Sequence, residues 1–283
     1  MKTTTSKAMS LKGNIKNLAK EKKVPPQIIL QNFMFERFLQ RLSLSEYRNN
    51  FIIKGGVLIS CLVGLESRST MDIDTTIKNY PLTEKDLKKI FEEIIGIQLN
   101  DNTVFLIKTI KPIREDDRYG GFRISIESHY DSIIVPISID VTTGDVITPF
   151  PILRNFDCIL EPKSSYQILT YPTETILAEK VETILSRERF NTRPRDFYDI
   201  FILTKTEKYD SSTFQKALKE TCIHRQSSDI LNNSDSIISN IESSPEILQR
   251  WNKYQKENLY ARDITFSMLI NSLRTLINNQ EAD

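Results

Sequence analysis

Two aspartates separated by a single residue, Asp72 and Asp74, are the side chains whose type and spacing best suit metal chemistry. They fall in a short run typical of a β-strand, where alternate side chains point to the same face. Two carboxylates on one face repel each other unless a cation lies between them, and an oxygen-only ligand set favours Mg²⁺ or Mn²⁺ over zinc. Paired acids are also common at solvated strand ends, so the interpretation as a metal site depends on the surrounding residues.

A glycine pair, Gly55-Gly56, ends an apolar run upstream of the aspartates. Glycines at a turn that opens a helix let backbone N–H groups approach a phosphate closely, and the start of a helix favours negative charge. Magnesium commonly shares its sites with substrate phosphates. Ser69 and Thr70, just before the aspartates, are candidate hydroxyl donors to the same phosphates. The whole stretch therefore predicts a strand, a glycine turn, a helix and a second strand that together serve phosphoryl or nucleotidyl transfer.

Asp140 is the candidate for a third carboxylate. Residues 135–141, VPISIDV, alternate apolar and polar side chains, which predicts a half-buried strand with Asp140 on its polar face. Two-metal transferases bind their ions between several carboxylates, so a third acid on a neighbouring strand completes the expected set. The alternative is that Asp140 is a turn residue, a role that Asp145, directly after Gly144, fits better.

The C-terminal half contributes a second group of charged candidates. Lys180 lies at the edge of an apolar stripe on a predicted helix, where a lysine either extends its ammonium to solvent or reaches an anion such as a triphosphate. Asp196 and Asp199 share a face of the next predicted helix, and either one is a candidate functional acid. A surface ion pair between Arg195 and Asp199 is the alternative. Arg193, in a run dense in arginines, is a candidate phosphate ligand.

The composition is that of a globular protein, and it does not indicate which molecule the protein binds. The chain has 283 residues, 27% of them charged, and a formal net charge of +1, so nucleic-acid binding would need a local basic patch. The three cysteines are far apart and predict no disulfide framework. We find neither a signal sequence nor an apolar run long enough to span a membrane, and we expect a cytoplasmic protein with no membrane partner.

The order of predicted elements divides the chain into two parts. Residues 1–165 mix helices and strands, with residues 1–9 expected to be disordered, and residues 166–283 form a helical lobe. The first helix is predicted over residues 11–22 with Ser10 as its cap. The polar segment 226–244 is predicted to be a loop or a weakly ordered segment, with a turn around Ile237-Ile238.

Two blocks of the sequence resemble a known family. KGGVL followed by SRSTMDID, within residues 36–78, and AEKVETILSRERFNTRPRDFYDI, residues 178–200, resemble the AbiEii-type toxins of abortive-infection (type IV) toxin–antitoxin systems. These toxins are a branch of the polymerase-beta-like nucleotidyltransferase superfamily. By motif, Lys180 and Asp196 match the lysine and the aspartate that complete the family's site. The family signature often has Gly-Ser where this chain has Gly55-Gly56, so phosphate contact at this turn would depend on backbone N–H groups.

The resemblance implies a fold, an activity and partners. The fold is an α/β (α+β) nucleotidyltransferase lobe with a mixed sheet, joined to a C-terminal helical bundle. The activity is metal-dependent transfer of a nucleoside monophosphate from an NTP to an acceptor hydroxyl, with RNA, and tRNA in particular, as the expected acceptor. The biological setting is abortive phage infection, with a cognate antitoxin as partner.

Three other functions remain open from the sequence. A small-molecule nucleotidyltransferase of the aminoglycoside-modifying kind would use the same chemistry on another acceptor. A DxD glycosyltransferase would bind a nucleotide-sugar through Mn²⁺, although the glycine pair and Asp140 argue against it. A non-catalytic interaction module would lack one of the acids or glycines, and all of them are present.

Overall fold

The computed structural model describes residues 5–80, 83–113, 120–161 and 163–278. Within these ranges, the strands are β1 (Phe51–Lys54), β2 (Ile73–Ile77), β3 (Thr103–Ile113), β4 (Gly121–Tyr130), β5 (Ile133–Thr142), β6 (Ile152–Asp157) and β7 (Ser165–Thr170). The helices are α1 (Ser6–Lys22), α2 (Pro26–Leu44), α3 (Gly55–Val63), α4 (Glu84–Gly96), α5 (Thr173–Arg187), α6 (Pro194–Thr206), α7 (Ser211–His224), α8 (Asp229–Asn232), α9 (Ser234–Glu242), α10 (Pro245–Glu257) and α11 (Phe266–Asn278). Short 3-10 turns lie at Glu46–Asn49, Glu188–Phe190 and Leu259–Ala261.

The chain forms two compact units. The first comprises Met1–Asp145 and Ile152–Thr170 and contains the sheet with helices α1 to α4. The second comprises Val146–Pro151 and Tyr171–Asp283 and contains α5 to α11. Among the described residues no helix combines the length and the apolar character needed to cross a membrane.

The sheet is mixed, as the resemblance implied. Its seven strands are ordered β3-β4-β5-β2-β1-β7-β6. The β2–β5 and β1–β7 pairs are parallel, and the other neighbours are antiparallel. Strand β1 therefore lies inside the sheet, and its residues are all buried, as the apolar run Phe51-Ile52-Ile53 requires.

An aromatic cluster fixes the position of β1 against the helices. Phe38 of α2 stacks on Phe91 of α4 with ring centroids 5.7 Å apart, and Phe51 of β1 meets Phe91 edge-on at 6.0 Å. Such ring pairs add to the stabilisation that burial of their area provides. Because side chains alternate along a strand, Lys54 points to the face of the sheet opposite Phe51. The helix-packed face of β1 is thus apolar, while its other face is available for polar chemistry.

The structure corrects two expectations about local structure. Helix α1 begins at Ser6, where Thr5 Oγ1 accepts a hydrogen bond from the Ala8 N–H at 3.3 Å, so Ser10 is not its cap. Residues 6–9, expected to be disordered, are helical because Ala8 packs into the interior with 0% exposure, and residues 1–4 lie outside the described ranges.

Segment 226–244 is the second correction, because it contains α8 and α9 rather than a loop. The buried side chains of α9 are Ile237, Ile238 and Ile241, whose spacing of three and four residues places them on one side of a helix. This apolar periodicity outweighs the serine-, asparagine- and aspartate-rich composition on which the loop prediction was based.

Candidate active site

The glycine pair joins β1 directly to α3. Gly55 has a φ of +64°, a left-handed conformation that favours glycine, and a Cβ at this position would lie 2.1 Å from Asp74 Oδ2. A Cβ on Gly56 would lie 2.7 Å from Thr70 Oγ1. The Gly56 N–H donates a long hydrogen bond to Asp74 Oδ2 at 3.4 Å. Both glycines are therefore needed for the close approach of this turn to the aspartate strand.

Strand pairing brings Asp74 and Asp140 side by side. Asp74 is the register partner of Asp140 in the parallel β2–β5 pair and of Lys54 in the antiparallel β1–β2 pair. Asp140 is in turn the register partner of Arg123 on β4. Since partners in register point to the same face, these four residues form a line across four strands, which we call the charged row: Lys54, Asp74, Asp140 and Arg123.

Asp72 lies one residue before β2 begins, and its carboxylate is held locally. Thr70 Oγ1 donates a hydrogen bond to Asp72 Oδ1 at 2.7 Å. Thr70 is buried, and the neighbouring Ser69 is half-buried, with its carbonyl oxygen accepting a hydrogen bond from the buried guanidinium of Arg68. Thr70 thus lies beside Gly56 and the first aspartate, and Ser69 precedes it in the chain.

The electrostatic environment of Asp74 favours a positive neighbour. Burial raises the pKa of the Asp74 carboxyl, and the negative charges of Asp72 and Asp140 raise it further. Lys54 acts in the opposite direction, and its ammonium also donates to Thr142 Oγ1 at 2.8 Å. An ionised Asp74 therefore carries an unfavourable free energy that a bound cation would reduce.

Asp140 is engaged by an arginine that the sequence interpretation missed. Arg123 Nε donates to Asp140 Oδ1 and Arg123 Nη2 to Asp140 Oδ2, each at 2.7 Å. Tyr130 and Ile133 face each other across the two-residue connection Asp131-Ser132, and counting outward from that turn places Arg123 opposite Asp140. The polar pair Asp131-Ser132 between two strand-like runs is the sequence signal that could have found it.

The chemistry of the donors fits a hard divalent cation, since three carboxylates offer only oxygen ligands. Among the described residues, however, no three histidine, cysteine or acidic side chains already converge as a metal-binding group. Both Asp140 oxygens face Arg123 instead. The residues present are suited to Mg²⁺ or Mn²⁺ in type and face, and a shift of side chains is needed to bring Asp140 into the set.

The second unit contains a separate charged cluster around Lys180 of α5. Lys180 Nζ lies 2.5 Å from Asp196 Oδ1 and 2.9 Å from Asp199 Oδ2, both on α6. Burial alone would lower the Lys180 pKa, but Asp199 and Asp196 outweigh it, so the pKa is raised and the ammonium stays charged. Asp199 is 0% exposed, so the alternative of a surface pair with Arg195 is wrong.

The two α6 aspartates differ in how completely they are satisfied. Asp196 Oδ2 is buried and has no hydrogen-bond partner among the described residues. A buried carboxylate oxygen without a donor is costly, and it marks Asp196 as the better candidate for contact with a further group. Arg193 lies at the start of α6 with an exposed side chain, and its N–H donates to Asn191 Oδ1 at 2.7 Å.

Comparison with solved structures defines the class of fold. JHP933 from Helicobacter pylori is 12% identical to this chain, with a TM-score of 0.50, covering 89% of this chain and 92% of that one. A second H. pylori protein, described as a candidate nucleotidyltransferase, is 12% identical with a TM-score of 0.51, covering 90% of this chain and 96% of that one. These likenesses concern the fold, which is that of the nucleotidyltransferase-like proteins.

Comparison with family models then gives the particular family. The model described as "Nucleotidyl transferase AbiEii toxin, Type IV TA system" matches residues 37–277. The chain therefore belongs to the AbiEii nucleotidyltransferase toxin family, and membership in a type IV toxin–antitoxin family implies an antitoxin partner. Among curated protein sequences the comparison finds no relative.

Proposed function

We propose that this toxin transfers a nucleoside monophosphate from an NTP to a hydroxyl group of RNA, with tRNA as the acceptor class and Mg²⁺ or Mn²⁺ as cofactor. The observation that carries the proposal is the register of β2 and β5, which places Asp74 beside Asp140 next to the Gly55-Gly56 turn. Family membership supports the nucleotidyl transfer. The setting we propose is abortive phage infection, in the cytoplasm.

In the proposed reaction, the acceptor hydroxyl oxygen attacks the α-phosphorus of the NTP. A bond forms between that oxygen and the α-phosphorus, the bond from the α-phosphorus to the bridging oxygen breaks, and pyrophosphate leaves while the hydroxyl proton is released. A divalent ion, when bound, neutralises phosphate charge and lowers the pKa of the attacking hydroxyl. Asp72, Asp74 and Asp140 are the proposed ligands of that ion.

The remaining site residues are assigned to the nucleotide. Backbone N–H groups of Gly55 and Gly56 at the start of α3, with the hydroxyls of Ser69 and Thr70, would donate to phosphate oxygens. In the second unit, Lys180 and Arg193 are proposed as cations for phosphate oxygens, and Asp196 keeps Lys180 charged and oriented.

An RNA acceptor is supported by exposed lysines on α1. Lys12, Lys16 and Lys20 are exposed, and cations on one helix suit a phosphate backbone. The end of α1 is tied to the connection between α3 and β2 by an ion pair of 3.1 Å between Lys22 Nζ and Glu66 Oε2. The same connection leads to Ser69 and Thr70, so within the first unit the basic helix ends near the proposed phosphate-binding residues.

The test is a labelling experiment with each of the four α-³²P NTPs and total RNA, with Mg²⁺ or with EDTA. We expect one NTP to label an RNA band of tRNA size with the native protein, and Asp74→Asn or EDTA to reduce this by at least a hundredfold, roughly the effect of one catalytic group. Asp131→Asn is the matched control, because Asp131 is an exposed turn residue with a φ of +53°, which asparagine adopts readily.

The acceptor is examined in a parallel arm with aminoglycosides in place of RNA. Label on the aminoglycoside alone would retain the transferase and reject the RNA acceptor, whereas turnover of a UDP-sugar without NTP labelling would favour the glycosyltransferase. Incorporation by Asp74→Asn at the native rate would contradict the proposal. In cells, the native gene should arrest growth, the Asp74→Asn gene should not, and co-expression of the cognate antitoxin should restore growth.

A further inference from the structure

The strongest unexplained feature of the site is the guanidinium of Arg123. Its two hydrogen bonds of 2.7 Å run parallel to both oxygens of Asp140, the geometry in which arginine binds a carboxylate most strongly. No sequence motif assigns this arginine a role. The carboxylate of Asp140, a proposed metal ligand, is therefore already paired with a cation of the protein itself.

Exposure indicates which partner of the pair can move. The side chain of Arg123 is 49% exposed, whereas that of Asp140 is 10% exposed. Arginine has a long, flexible stem, and it can place its charged end in water without disturbing the strand. The carboxylate is fixed between Asp74 and the β4 strand by the register of the sheet. Of the two partners, Arg123 is therefore the one with room to rotate outward.

Arg123 belongs to the charged row, in which strand pairing places its partner Asp140 beside Asp74. A divalent ion held by these carboxylates would therefore meet the guanidinium at Asp140. A guanidinium and a metal ion at this position repel each other, and a carboxylate oxygen that accepts a short N–H bond is a poorer metal ligand.

We propose that Arg123 competes with the divalent cation for Asp140, so that cation binding replaces the Arg123–Asp140 ion pair and releases the guanidinium. The inference rests on the proposed metal site and adds a residue that sets its affinity. It also gives a reason why Asp140 does not join a converged acidic group in the described residues.

The test is Mn²⁺ binding to the metal-free protein, measured by titration calorimetry and by the electron paramagnetic resonance signal of free Mn²⁺. Arg123→Gln removes the competitor, and we expect about tenfold tighter Mn²⁺ binding, the scale of a hydrogen-bonded charge pair. Lys111→Gln is the matched control. Lys111 is an exposed cation that lies opposite Arg123 on β3, one strand further from Asp140, and its removal changes net charge equally.

The outcomes separate this inference from the proposed function. Tighter binding in Arg123→Gln but not in Lys111→Gln supports the competition, and unchanged or weaker binding in Arg123→Gln overturns it. Equal tightening in both variants also overturns it, because general charge would then be the cause. If Arg123→Gln fails to fold, Arg123→Lys replaces it, since lysine cannot form the two parallel bonds and should give partial tightening. Asp74→Asn reports on the metal site itself: unaltered Mn²⁺ binding there would reject the site whatever Arg123 does.

Discussion

Glu36 on α2 offers a test of the physical reasoning that is independent of catalysis. Its side chain is 3% exposed, its Oε2 accepts the Ile159 N–H at 2.5 Å, and its Oε1 lies 3.0 Å from Arg37 Nη2. Arg37 is shared with Glu161, at 2.8 Å, so the cation does not neutralise Glu36 alone. Burial is the largest effect, and it raises the Glu36 pKa to about 7 from the ordinary 4.5.

The direction of the pH dependence follows from proton binding. Because the folded state holds the Glu36 proton to higher pH than the unfolded state, the contribution of this group to stability is fully present below about pH 4.5 and is lost as the pH rises through about 7. A difference between 4.5 and about 7 corresponds to about 3 kcal/mol of unfolding free energy. Glu36→Gln keeps an acceptor for the Ile159 N–H and abolishes the titration.

The assay is urea unfolding of the native protein and Glu36→Gln at pH 5, 6, 7 and 8. The unfolding free energy of the native protein minus that of the variant should fall by about 2.5 kcal/mol across this range. Glu92→Gln, the same substitution at a side chain that is 58% exposed, is the control. If the difference for Glu36→Gln is flat, or rises with pH, then burial does not raise the pKa of the Glu36 carboxyl as we infer.

Three further predictions concern single contacts. Gly55→Ala should destabilise the protein by about 1–3 kcal/mol and abolish labelling, because a Cβ would strain a φ of +64° and collide with Asp74. Gly13→Ala is the matched control, because Gly13 has open space around it in α1. This substitution should stabilise the protein by about 0.5–1 kcal/mol in thermal unfolding. Lys180→Met should cost about 3–5 kcal/mol in urea unfolding, since it leaves the two α6 carboxylates buried without their cation, and an unchanged midpoint would contradict the charged cluster. Thr83→Ala should cost about 1 kcal/mol, because Thr83 Oγ1 caps α4, and circular dichroism should show no loss of fold.

The parts of the site that the sequence predicts are those whose elements are close in the chain. Gly55 and Asp74 are separated by one helix, and the strand–turn–helix–strand order leaves few ways to connect β1 and β2. Their juxtaposition is therefore visible from turn chemistry and apolar runs alone. Lys180 and Asp196, in contrast, are linked in the sequence only by the family resemblance, and the burial of Asp199 is not visible because surface and interior acids have the same sequence pattern.

Site residues that are brought together by pairing between distant strands could not be predicted from the local sequence. The sequence pattern assigns no role to Lys54, yet its pairing with Asp74 makes it part of the charged row. Strands β6 and β7 were not anticipated either, since short half-exposed segments with mixed side chains carry a weak periodic signal. Information about which strand lies beside which is contained in long-range packing and not in local composition.

The register of β4 and β5 shows how a distant turn determines the chemistry of the site. These strands are joined by Asp131 and Ser132, and their pairing runs without interruption from Tyr130–Ile133 to Gly121–Thr142. A slip of one residue would move every side chain of one strand to the other face of the sheet. Arg123 would then leave Asp140, and the acidic group would lose its resident cation. The two-residue turn therefore positions the guanidinium beside Asp140.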